Sequence, residues 1–201
     1  MTKKILVPIA PGSEEMEAIT IIDTMVRAGF DVTVASAAFD GALTMTASRG
    51  VVLTADCKLV DVADEEFDVI ALPGGVGGAE TFRDSTLLVE MVRQHKYEGK
   101  LLGAICAAPA LVLQHHNLYP DALMTCHPGF QSHIPEDRWR AKRVTIDINH
   151  NLITSQGPGT ALEFAIEIII ALCGKEKAWE VAEPMITNPT LHYHKMGKYD
   201  D

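Results

Sequence analysis

Leu101-Leu102-Gly103-Ala104-Ile105-Cys106-Ala107-Ala108-Pro109-Ala110-Leu111-Val112-Leu113 is the stretch on which the reading of this chain turns. Its first half follows Glu98-Gly99-Lys100 and is small and apolar, the pattern of a short buried strand. From Ala107 the run is Ala-rich and carries Pro109 where a first helical turn tolerates it, so it reads as a helix. Cys106 then stands at a sharp strand-to-helix turn, as the serine of a nucleophile elbow does. Unpaired N–H groups and the positive end of the helix dipole favour thiolate there. They set an expected thiol pKa in the range of about 3.5–7.5 and make Cys106 the first cysteine to be alkylated or oxidised. A buried core cysteine is the plain alternative. Position, more than residue type, favours the nucleophile.

Outward from the elbow, strands and helices alternate. Toward the start, Lys4 to Ile9 reads as a buried strand and Pro11-Gly12 as its turn. Ser13 is the expected N-cap of a helix with Glu14 and Glu15 in its first turn. Ile19, Ile22 and Val26 mark the core stripe of that helix, Gly29 closes it, and Ile21 and Met25 lie off the stripe, where they are expected to pack on a two-fold partner. Asp31 to Ser36 is a second strand, and residues 37–57 look like a hairpin or irregular crossover. Phe67 to Leu72 is a strand running into Pro73-Gly74-Gly75-Val76-Gly77-Gly78, and Ser85 to His95 is helical. Beyond the elbow, residues 115–143 are rich in turns, and Val144–Asp147 and Leu152–Thr154 form a strand pair around His150-Asn151. Gln156-Gly157-Pro158-Gly159 leads to an apolar helix from Thr160 to Cys173, Gly174 ends it, and a shorter helix follows around Ala178–Ala182. Residues 1–185 read as one domain, and 186–201, with Pro189, His192 and His194, as a docking arm or a frayed tail. This alternation predicts an α/β sandwich with a mostly parallel sheet, whose sites lie at the carboxyl ends of the strands. Pro11–Glu17, Gly74–Gly78, Cys106 and Gly157–Gly159 should therefore share one edge.

The totals narrow the function classes. The chain has 201 residues, 47% hydrophobic, with a mean hydropathy of +0.10, as in a globular protein able to bury a core without staples. A formal net charge of −10 offers no basic stripe for nucleic acid or an anionic membrane. No run approaches the roughly 20 apolar residues of a membrane span, and the apolar start is a poor signal peptide, short and interrupted by Pro8. The four cysteines, Cys57, Cys106, Cys126 and Cys173, lack Cys-x-x-Cys pairing, which suits reduced thiols in a cytoplasm.

The glycine run is no nucleotide loop, because Glu80 stands where a dinucleotide fingerprint needs glycine and no Gly-Lys-Ser/Thr ends it. Gly74 and Gly75 can instead turn N–H groups toward Cys106, and with the N–H of Ala107 form an oxyanion hole. Glu14 and Glu15 read as ordinary first-turn acids. Glu17, deeper in the helix and close to the shared edge, is placed to hydrogen-bond the thiol and move protons. His127 is a base or orienting partner for Cys106, or else a surface loop histidine. Cys126, His127, His133 and the pair His115-His116 match no zinc spacing, so no metal is expected. Arg27 and Arg49 read as surface residues or interface ion pairs.

Together, Gly12-Ser13-Glu14-Glu15-Met16-Glu17, Leu72-Pro73-Gly74-Gly75, Ala104-Ile105-Cys106-Ala107-Ala108-Pro109 and Thr154-Ser155-Gln156-Gly157-Pro158-Gly159-Thr160 resemble the ThiJ/PfpI (DJ-one) superfamily. The nearest branch is that of the parkinsonism-linked deglycase and bacterial YajL. The resemblance implies a flavodoxin-like three-layer sandwich and a homodimer. It also implies that Cys106 is a peroxide-sensitive nucleophile hydrogen-bonded to Glu17. Gly75 and Ala107 would be backbone donors, His127 the site histidine, and Arg27 and Arg49 arginines near the dimer interface. It implies no cofactor. Ala107 stands where protease-like members have histidine, and the chain holds no His-x-Glu triplet of a glutaminase. Gln156 replaces an arginine of some relatives at the pocket rim. Two functions fit one reactive thiol. One is turnover of methylglyoxal or of glycated thiols and amines. The other is a redox-sensing chaperone for unfolded clients, in which Cys106 is oxidised to sulfinate.

Overall fold

The computed structural model describes residues 2–187, so the tail expected over 186–201, including Pro189, His192 and His194, lies almost entirely outside the described residues. In chain order the elements are β1 (Lys4–Ile9), α1 (Glu15–Arg27), β2 (Asp31–Ser36), β3 (Thr44–Thr46), β4 (Val52–Thr54), β5 (Cys57–Lys58), β6 (Val69–Leu72), α2 (Val76–Asp84), α3 (Thr86–Tyr97), β7 (Leu101–Ile105), β8 (Val144–Asp147), β9 (Leu152–Ser155) and α4 (Ala161–Ala182). A seven-stranded sheet runs in the order β5-β2-β1-β6-β7-β9-β8, parallel throughout except for the antiparallel pair β8–β9. The crossover between β2 and β5 holds the antiparallel hairpin β3–β4.

Side chains alternate between two cores with the period of the strand. Leu6, Ile70, Leu72, Leu102 and Ala104 face one layer with Phe82, Leu88 and Val92 of α2 and α3. Ile5, Val7, Val69, Ala71, Ile105 and Ile153 face the other, with Ile21 and Met25 of α1 and Phe164, Ile168 and Ile169 of α4. This is a three-layer α/β sandwich. No described helix is long and apolar enough to cross a membrane.

Several expectations are corrected. In α1 the buried stripe is Ala18, Ile21, Thr24 and Met25, whereas Ile19 is 48% and Val26 56% exposed and Ile22 only half-buried. Helix α1 is apolar on two sides, and the sheet and α4 take Ile21 and Met25, the residues expected to face a two-fold partner. Ser13 is not the N-cap. Its Oγ accepts from Ala10 N–H at 2.9 Å, and Glu14 caps α1 by accepting from Glu17 N–H at 2.8 Å. The helix after Cys106 is one short π-type segment, Pro109–Gln114. Gly174, at φ 84°, breaks α4 into the two expected parts.

Candidate active site

Cys106 directly follows β7, and its φ of 64° is a left-handed backbone that costs a residue with a Cβ about 1–2 kcal/mol. Hydrogen bonds on both sides hold it there. Its N–H donates to Ser155 O at 2.9 Å, and its carbonyl accepts from His127 N–H at 2.8 Å. The side chain is 8% exposed. The N–H groups of Gly75 and Ala107 both reach the sulfur, and the Glu17 carboxyl shares a hydrogen bond with the thiol. Glu17 is fully buried; its Oε2 accepts from Gly74 N–H at 2.7 Å, and its Oε1 has no nitrogen or oxygen partner. Gly74 therefore serves the carboxyl and Gly75 the sulfur, rather than both serving Cys106.

Local sequence explains this convergence. Glu14 caps the helix, which fixes Glu17 one turn in and facing the sheet edge. Glu14 N–H donates to Gly74 O at 3.0 Å, tying the start of α1 to the loop after β6. Gly75 has φ +80°, and a Cβ there would overlap Gly12 O, so only glycine lets the two loops approach. Glu15 clamps the β3–β4 hairpin, with Ser48 Oγ donating to Oε2 at 2.7 Å and Arg49 N–H to Oε1 at 2.8 Å. These buried roles replace the reading of Glu14 and Glu15 as ordinary acids. The Glu14-x-x-Glu17 spacing signals the first; partners more than thirty positions away hide the second.

Electrostatics correct a further expectation. Burial is the main cause that pushes Glu17 up to about 7, with the charge of Glu14 adding and Gly74 N–H opposing. Burial, then the charge of Glu17, pushes the Cys106 thiol up to about 12, against the N–H groups of Gly75 and Ala107. The thiol is raised, not lowered, because a single short helical segment cannot outweigh desolvation beside a carboxyl. Two groups this close titrate as a unit.

His127 is joined to Cys106 through the backbone, His127 N–H donating to Cys106 O at 2.8 Å. Its Nδ1 accepts from Gly129 N–H at 3.1 Å, and a Cβ on Gly157 would sit 3.5 Å from its Cδ2. Neutral His127 therefore carries its proton on Nε2. Arg143 braces the Gly157 wall, donating to Gly159 O at 2.7 Å while Glu163 takes its guanidinium from the other side. Arg27 pairs with Asp23 at 2.7 Å and Arg49 is exposed; neither belongs to the contacts of Cys106. His116 reaches Arg83 O and His133 reaches Phe130 O, both backbone contacts away from the thiol. Cys126 is buried in the opposite core, and Cys173 is exposed on α4, so alkylation of Cys106 is not exclusive on exposure alone.

The chain matches the model of the DJ-1/PfpI family over residues 3–171. It is 45% identical over 182 residues to Protein DJ-1 homolog B of Arabidopsis thaliana, covering 90% of this chain and 41% of that longer protein. It is 32% identical over 184 residues to the glutathione-independent glyoxalase DJR-1.2 of Caenorhabditis elegans, covering 91% of this chain and 96% of the relative. The oxidized structure of Toxoplasma gondii DJ-1 superimposes with a TM-score of 0.88 at 43% identity, over 92% of this chain and 98% of that one. An elbow cysteine facing a buried glutamate, on a sheet that superimposes on these structures, places this chain in the DJ-1/PfpI family.

Proposed function

We propose that this protein is a cofactor-independent glyoxalase and deglycase that acts on methylglyoxal and early glycation adducts through Cys106. The observation that carries the reading is the buried Cys106–Glu17 pair with the N–H groups of Gly75 and Ala107 at the sulfur. The thiol passes its proton to Glu17 while sulfur adds to the aldehyde carbon, and the carbonyl electron pair moves to oxygen. Gly75 and Ala107 stabilise that oxygen, and His127 donates to it from Nε2. That oxygen takes the proton from Glu17, giving a hemithioacetal and restoring the carboxylate; Glu17 then takes the proton from the former aldehyde carbon and returns it to the neighbouring one, while the hydroxyl proton moves to the neighbouring oxygen, giving a thioester. Water hydrolyses the thioester to the 2-hydroxy acid and frees the thiol. The C. elegans relative named a glutathione-independent glyoxalase supports this chemistry. Wild type is expected to form lactate from methylglyoxal, followed by NMR with buffer aldehyde adducts controlled, and Cys106→Ser to fall to background. A Cys106→Ser protein that turns over at the wild-type rate overturns the reading.

A second reading, a redox-sensing chaperone, is favoured by the exposed apolar face of Met16, Ile19 and Val26 on α1 with Val51 and Val52 of the hairpin. Cys106 would be oxidised to sulfinate and that face would hold unfolded clients. The same face, flanked by Arg27 and Arg49, is where we place a homodimer contact. Light scattering is expected to give twice 21.9 kDa for wild type, and Ile19→Glu to shift it to the monomer. A wild-type monomer at micromolar concentration removes the dimer. All four cysteines are free, which accords with a cytoplasmic location.

A further inference from the structure

We infer that Thr160 is a positioning residue of the Cys106 site. Its buried hydroxyl ties the turn that walls His127 to the strand end that holds Cys106, although Thr160 is not among the contacts of the sulfur. The inference rests on the reading of Cys106 and His127 as reacting groups and adds to it the residue that keeps them in register.

The turn Ser155-Gln156-Gly157-Pro158-Gly159-Thr160 carries a hydroxyl at each end. Ser155 is 0% and Thr160 5% exposed, so both hydroxyls find their partners inside the protein. Thr160 Oγ1 accepts from Gly157 N–H at 3.1 Å and lies 2.6 Å from Ser155 Oγ, which donates to Arg143 O at 2.8 Å. Each hydroxyl has a single proton. With the Ser155 proton on Arg143 O, the Ser155–Thr160 contact takes the proton of Thr160. Gly157 O, 2.9 Å from Thr160 Oγ1, keeps Thr160 N–H at 2.8 Å as its donor. The relay therefore runs from Gly157 N–H through Thr160 and Ser155 to Arg143 O, and buried hydrogen bonds in series strengthen one another.

Both arms of the relay reach the site. Thr160 Oγ1 is the acceptor of Gly157 N–H, and Gly157 stands beside His127, where a Cβ would lie 3.5 Å from Cδ2. The hydroxyl thus sets how close that wall stands to the ring. On the other arm, Ser155 pairs with Ile105 at the end of β7, and Ser155 O accepts from Cys106 N–H at 2.9 Å. That bond is one of the two that hold the left-handed Cys106 turn. Arg143 closes the far side, its guanidinium donating to Gly159 O at 2.7 Å.

Thr160→Val removes the hydroxyl with little change of shape, and Thr160→Ser keeps it. Hydrogen exchange followed by NMR reads Gly157 N–H, and the ring signal of His127, assigned with His127→Gln, reads the wall. Initial rates with methylglyoxal read kcat and KM. In Thr160→Val, Gly157 N–H is expected to exchange about tenfold faster, and the His127 signal to shift or broaden. The kcat is expected to fall about tenfold with KM within about twofold, since His127 acts on the oxygen that gains charge in the transition state. Thr160→Ser is expected to restore all three. A residue that contributes only stability would leave the His127 signal and kcat unmoved in folded protein. A wild-type kcat or a wild-type His127 signal in folded Thr160→Val therefore overturns the inference, as does a Thr160→Ser protein that behaves like Thr160→Val. If Thr160→Val does not fold, Gly157 N–H of the wild type decides, because exchange at the rate of an open turn means that no hydroxyl holds it. If wild type does not turn over methylglyoxal, the proposed activity fails and the His127 signal alone decides the positioning.

Discussion

Gly74→Ala is expected to erase the reactivity of Cys106 and to lower the melting temperature together. A Cβ at position 74 would overlap the Cys106 Cβ and lie 2.8 Å from Glu17 Oε2 and 2.9 Å from Ile105 O. Two of those neighbours are the reacting pair and the third is strand backbone, so nothing yields cheaply. Overpacking of this kind costs about 1–3 kcal/mol. For a domain of this size that shifts the midpoint by roughly 2–12 °C. Gly159→Ala is the control, since a Cβ there meets nothing within 4 Å. Calorimetry with thiol labelling on the three proteins checks both effects. A Gly74→Ala protein with wild-type melting and labelling would show that the carboxyl and thiol are not packed as described.

Glu17→Gln and Glu17→Ala should each lose turnover by about 10²–10⁴-fold, the range of a general acid–base group. Glutamine keeps a donor without accepting the thiol proton; alanine has neither ability. Wild-type activity needs ionised Glu17 as base, so its rate should rise with pH through about 7. That limb should vanish in both variants. Stability runs the other way. The Glu17 value is raised from the ordinary 4.5 to about 7, so the folded state holds its proton more tightly than the unfolded chain. The resulting stabilisation is fully present below 4.5 and is lost as pH rises through about 7, amounting to roughly 3 kcal/mol at 1.36 kcal/mol per unit. Glu17→Gln has no such loss and should be the more stable protein at pH 8 while inactive. Under graded peroxide, the glutamine variant should still hold a sulfinate through its donor and the alanine variant should hold it less well. Full turnover by Glu17→Gln would move the proton shuttle elsewhere, with His127 next in line.

Much of the scaffold was legible because strands buried on both faces are continuous apolar runs. Lys4–Ile9, Asp31–Ser36 and Leu101–Ile105 have the bounds their sequence implies. The burial face of α1 was not legible. Met16, Ile19, Ile22 and Val26 are as apolar as Ala18, Ile21 and Met25, and periodicity cannot choose between two apolar sides. The Cys106 turn could be read from composition alone, since a strand ran into an Ala-rich, Pro-started segment. The thiol's electrostatics could not. They depend on desolvation and on a carboxyl brought in from β1's far side of the chain by Glu14 and Gly74, contacts absent from local sequence. The brace of Arg143 on Gly159 was hidden for the same reason.

Helix α1 has Glu17 on its inner side and Met16, Ile19 and Val26 on its outer side. A helix moves nearly as a rod, so the contact made on the outer side also sets the position of the carboxyl within. Misplacing a catalytic group by about 1 Å can lower a rate 10²-fold. A substitution that loosens the contact on that outer surface, such as Ile19→Glu, would therefore slow the thiol from behind, leaving the mouth of the site open and every reacting residue untouched. Control of this kind would not compete with thiols or aldehydes for the sulfur.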